Sequence, residues 1–94
     1  MRSTYSGRVS LVVGDTEFPA TASLDKRVVH NIPEWDGTVE VDDDHLHAFE
    51  ALTWDLDDYL RVRLPEGGEG NAFISRMAAG TGHAMLKGSG PAPW

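Results

Sequence analysis

Residues 6–24, SGRVSLVVGDTEFPATASL, decide the architecture. Val9, Leu11 and Val13 recur at every second position, and after Gly14-Asp15 the residues Phe18, Ala20, Ala22 and Leu24 do the same. A period of two puts each series on one face of a strand, so the stretch reads as a β-hairpin. Gly-Asp suits a two-residue turn, because tight hairpin turns need positive φ at the first or both central positions, which glycine adopts without steric cost. Pro19 removes one ladder donor, which places the second strand at an edge or turns that donor outward.

Working outward, DKRVVHNIPEWDG (residues 25–37) reads as a strand end at residues 27–29 followed by a loop closing at Gly37, with the short strand TVEV after it. YLRVRLP alternates with Leu60, Val62 and Leu64 inward and Arg61 and Arg63 outward, a clear strand. PEGGEG is a connection that no helix tolerates, NAFISRM a returning strand, and AAGTGHAMLKGSG a glycine-flanked strand centred on residues 84–87. Residues 88–94 form an extended Gly/Pro tail, since each proline biases its predecessor away from helix.

One segment reads differently. Residues 43–52 can be read two ways. As a strand they would put Leu46, Ala48 and Leu52 on one face with Glu50 as the single violation; as a short helix they set Leu46, Phe49 and Leu52 at helical spacing with Asp42, Asp43 and Asp44 at its positive end. The acids and the good helix formers Ala48, Glu50, Ala51 and Leu52 favour the helix. Trp54 is expected in the core. Six short strands and one helix near residues 43–52 make a mainly β (α+β) protein: a small antiparallel barrel, or a strongly bent sheet, plugged by the helix.

Composition agrees. With 94 residues, 40% of them hydrophobic, ten glycines and five prolines, the chain is too apolar for disorder and too turn-rich for a helical bundle. One domain over residues 1–94 is expected. The chain has no cysteine, which removes disulfides and thiolate metal sites and favours a reducing compartment. No signal-like or membrane-spanning apolar run occurs, so a cytoplasmic protein without membrane contact is expected.

Charge is unevenly placed. Ten of the fifteen acids lie in residues 34–58, and no Lys or Arg occurs in residues 28–60. The rest of the chain holds eight bases against five acids, so a −10 segment sits in a +3 frame. Direct nucleic-acid binding through that segment would be repulsive.

The candidate chemistry is thin. Asp42, Asp43 and Asp44 beside His45 and His47 would suit a divalent cation, but on a helix the two histidines point roughly 200° apart, and an acid-capped helix start accounts for the residues. Ser75, Ser89, His30 and His83 are separately available for nucleophilic chemistry, yet no G-x-S-x-G elbow is present. The glycine-rich runs lack phosphate-loop spacing. Arg61, Arg63 and Arg76 with Tyr59 and Phe73 resemble a single-strand binding stripe, although three cations in a chain of charge −7 point rather to cross-strand pairing or solvation. No catalytic residue, metal or cofactor is assigned.

YSGRVSL, EWDGTVEV, RVRLPEGGEGNAFIS and GSGPAPW together resemble small uncharacterised β-rich domains of actinobacteria and their phages. The resemblance covers most of the chain, rests on turn glycines and alternating strands, and implies a fold without a chemistry.

The reading that follows is a non-catalytic protein-interaction module, a bacterial or phage accessory protein using its acidic segment and exposed aromatics. Its partner-binding residues would be Trp35, Asp36, Asp42, Asp43, Asp44, Asp57, Asp58 and Trp94, with Trp35 in a loop and Trp94 in the tail either packed on the domain or serving a protein partner. One alternative is an acidic nucleic-acid mimic that inhibits a DNA-binding or defence protein. Another is a small metal-dependent or hydrolytic enzyme.

Overall fold

In a computed structural model, which describes residues 4–54, 58–78 and 80–94, the alternating stretches become β1 (Thr4–Val13), β2 (Thr16–Val29), β3 (Ile32–Val41), β4 (Leu60–Arg63), β5 (Glu69–Ala78) and β6 (His83–Ser89). They close into an antiparallel barrel in the order β1-β2-β3-β6-β5-β4. Closure runs through β1 and β4, where Leu11 faces Val62, and this decides for the barrel over the bent sheet. A 3₁₀ turn, Asp43–His45, leads into α1 (Leu46–Thr53). Among the described residues no helix is long and apolar enough to cross a membrane.

The inward series are those of the sequence. Val9, Leu11 and Val13, then Phe18, Ala20, Ala22 and Leu24, then Leu60, Val62 and Leu64 are all buried. Ala72 and Ala84 join them, and this mixture of alanines with large rings lets a narrow barrel fill without voids. Pro19 fits because its carbonyl accepts from the Asp42 N–H. A strand residue's N and O point to the same side, so the missing donor faces the place where the β2–β3 ladder has just ended at Ala20 and Val41.

Two connections expected from the sequence are corrected. The loop over residues 30–37 is only a two-residue turn: β2 runs to Val29 and β3 starts at Ile32. His30 and Asn31 take φ of 51° and 65°, the positive values that a tight hairpin turn of this hand requires. His-Asn lacks the glycine that signals this turn, and Pro33 disguises the strand. The connection PEGGEG is shorter than it reads, since Glu69 and Gly70 already belong to β5.

The helix exists, but its phase differs. Phe49 is fully buried and Thr53 is 5% exposed, while Leu52 is 46% and Trp54 68% exposed. The inward row is therefore the pair four residues apart. Thr53 enters because its hydroxyl donates to the Phe49 carbonyl at 2.7 Å, which removes the cost of burying it. Phe49 meets Phe18 edge-on, 5.3 Å between centroids, so α1 stoppers the end of the barrel where β2 begins. Trp35, opposite Lys26 near the other end of β2, fills the other mouth.

Candidate functional site

Among the described residues the acids of residues 34–58 are spread over several elements: β3, the 3₁₀ turn after it, α1 and the start of the approach to β4. Asp36, on β3, accepts two hydrogen bonds from the Arg27 guanidinium across the β2–β3 ladder. Asp42 accepts two from Arg8, at 3.0 and 2.8 Å. Glu40 lies 3.5 Å from the His83 imidazole, and the Glu50 carboxylate accepts the Gly80 N–H at 2.9 Å. Asp43, Asp44 and Asp58 are exposed, and Asp57 lies outside the described residues. The basic frame thus reaches into the acidic segment at Arg8 and Arg27, whereas Arg63 bonds Glu17 and Glu69. Among the described residues no three His, Asp or Glu side chains group as metal ligands would.

These pairs set an acid dependence. Hydrogen bonds from Arg27 hold the Asp36 carboxyl below the usual carboxylate range, and those from Arg8 do the same for Asp42. Folded-state values below the unfolded ones mean that both pairs stabilise the fold in full above about pH 4 and lose that contribution as pH falls through the lowered values. Both pairs are solvent-exposed, so the effect is modest. Melting temperature followed against pH is expected to fall less steeply below pH 4 in Arg8→Gln and Arg27→Gln than in the wild type, and parallel curves would show that the pairs contribute nothing.

Both tryptophans assigned to a partner turn inward. Trp35 stands on β3, which corrects its placement in a loop, and is 2% exposed, so of the two roles open to it the packed one fits. Trp94 packs against the core, its ring 6.0 Å from Trp35 and nearly perpendicular to it. The sequence signal for this was the pair Gly70 and Gly88. A Cβ at Gly88 would overlap the Trp35 pyrrole ring, and one at Gly70 would come within 3.0 Å of Trp35 Cζ2, so these glycines make the flat floor an indole needs.

The exposed aromatics are different residues. Trp54, Tyr59 and Phe73 are 68%, 51% and 39% exposed and line one cleft of about 550 Å³, with Asp58, Ser75 and Arg76 at its polar positions. Tyr59 and Phe73 lie 5.9 Å apart with tilted rings. The ladder between β4 and β5 stops at Leu60 and Ala72, and the β5–β6 register shifts between Ile74 and Arg76. Such a shift locally bends and twists a strand, and the cleft lies along this part of β5, beside the end of α1. The sequence reading set Tyr59 and Phe73 together beside Arg76; what it lacked was Trp54, the register shift in β5 and the early end of the β4–β5 ladder.

No protein-family model, curated protein or solved structure matches the chain. The site must therefore be read from its own chemistry. Ser75 donates its hydroxyl to the Met85 carbonyl at 3.2 Å, and among the described lining residues none is a histidine that could act as its base. What remains among the described residues is an open, aromatic surface with Asp58 and Arg76 at its polar positions, suited to holding an apolar body with a polar tip.

Proposed function

We propose that the protein is a non-catalytic protein-interaction module whose docking surface is the aromatic cleft between the end of α1 and the bulged part of β5. The observation that carries this is the convergence of Trp54, Tyr59 and Phe73, all exposed, on one concavity. Tryptophan and tyrosine dominate binding energy when a partner desolvates them, because they offer large rigid area at little entropic cost. Asp58 and Arg76 supply the polar rim that fixes orientation.

The alternative of an acidic nucleic-acid mimic draws less support, since a phosphate-like row needs free carboxylates in line and Asp36 and Asp42 already carry guanidinium partners. The two readings separate in one experiment. Affinity capture from bacterial host cells with the wild-type chain and with Trp54→Ala/Phe73→Ala is expected to retain a partner at least tenfold better on the wild type. Equal retention by both chains sinks the cleft, and release by salt with no effect of the substitutions moves the reading to the mimic.

A further inference from the structure

At the barrel mouth filled by Trp35, the chain is held by its own extended tail. Pro93 is buried, and Ala92 and Trp94 pack against the core. The tail lies directly on glycine backbone: a Cβ at Gly68 would overlap the Pro93 carbonyl, and one at Gly70 would come within 2.9 Å of the Pro93 ring and 3.2 Å of the Pro91 carbonyl. The Trp94 ring enters an aromatic corner, 6.0 Å from Trp35 and 6.3 Å from Tyr5. Lys26 completes it, with its Nζ 5.3 Å over the Trp94 ring and donating to the Trp94 main-chain oxygen at 2.7 Å.

The way the tail is held is informative. Among the described residues no main-chain to main-chain hydrogen bond joins residues 90–94 to the barrel. Prolines on glycine, an indole among aromatic rings and one lysine do the work that ladder bonds do elsewhere. That is how aromatic-lined grooves recognise proline-rich segments: the preformed extended backbone loses little entropy on docking, and side-chain shape supplies selectivity.

The fit in cis is also incomplete. The Trp35 and Trp94 indole nitrogens are buried without an acceptor, an unusual cost for buried donors. Beside the tail a groove of about 430 Å³ remains open toward the projecting β2–β3 hairpin, with Val28 and Pro33 on its wall, and Val28 is 69% exposed. Among the described residues the last pairs of this hairpin with β1 and β6 are at Asp25 and Asp36, so Val28 and Pro33, which line the groove, belong to its end beyond those pairs.

We propose that this mouth is a recognition site for extended Pro-x-Pro-Trp segments, occupied in cis by residues 91–94 and open in trans to a partner segment of the same chemistry. The site lies at the other end of the barrel from the α1 cleft and does not depend on it. A partner segment enters along the open groove, against Val28 and Pro33, and exchanges with the tail. The tail sets the threshold, because a tethered occupant competes at high effective concentration.

The test uses the chain of residues 1–94 carrying Trp94→Ala, labelled with ¹⁵N, and the synthetic peptide GSGPAPW, residues 88–94. Saturable shifts of the Trp35 indole N–H and the Tyr5 and Lys26 amides are expected, with affinity at least tenfold above that for the wild-type chain. The peptide GSGAAAW is expected to bind at least tenfold more weakly. No saturable binding, equal binding of the two peptides, or shifts confined to Trp54 would overturn the proposal. If Trp94→Ala does not fold, GSGPAPW must restore the wild-type spectrum when added, and failure to restore it overturns the proposal equally.

Discussion

Trp35→Ala is expected to cost about 3–5 kcal/mol in folding free energy, read as a large drop in the urea midpoint, while Trp54→Ala is expected to stay within about 0.5 kcal/mol. The two residues are the same type and both lie in the acid-rich segment; burial separates them, at 2% against 68% exposure. Removing the Trp35 indole uncovers the Gly88 and Gly70 backbone and takes away the wall on which Trp94 rests. Collapse cannot fill that space, because glycines have no side chain to move into it. The converse substitution, Gly88→Ala, is expected to cost about 1–3 kcal/mol by overpacking against the ring, and most of that cost should vanish in a Trp35→Leu background. Such non-additivity is what direct contact produces. Additive costs would show that Gly88 and Trp35 do not share that space, and a mild Trp35→Ala would remove the account of this barrel end.

How much of this could be read beforehand follows from which constraints are local. Alternation in residues 6–24 and 59–65 reports which side of a strand is wet, and its inward series are buried as it says; Val12, on the outward side but 5% exposed, is the departure. The partner of a buried residue is not local. Trp35 sits among charge, proline and glycine, and its sequence neighbourhood reads as a loop because the residues that accommodate it, Gly70 and Gly88, belong to β5 and β6. The tail reads as solvent-facing for the same reason: its seat is the Gly68–Gly70 backbone, 21 or more residues earlier in the chain. The acidic segment shows the complementary case. Its composition was plain, but Arg8 and Arg27 enter it only through the register of β2 with its neighbours and the turn after β3. The cleft lies along a register shift in β5, which leaves no periodic trace.

The helix tests the same distinction at the other barrel mouth. Phe49→Ala is expected to destabilise the fold by about 3–5 kcal/mol, and Leu52→Ala by no more than about 0.5 kcal/mol, both read by chemical denaturation. Spacing alone puts Leu46, Phe49 and Leu52 on one side, and by that reading the two substitutions would cost similar amounts. The barrel mouth is narrow, and α1 has only the eight residues Leu46–Thr53, so one inward row suffices: Phe49 against Phe18, and Thr53 one turn on, near the Met77 sulfur at 3.9 Å. Leu52 is carried around to solvent, about 100° per residue from Thr53, beside the cleft that Trp54 lines. A large cost for Leu52→Ala would mean that the helix sits rotated toward the spacing-based phase. That rotation would also turn Thr53 away from the barrel and change the lip of the cleft, so the stability of these two variants bears on the docking surface as directly as on the core.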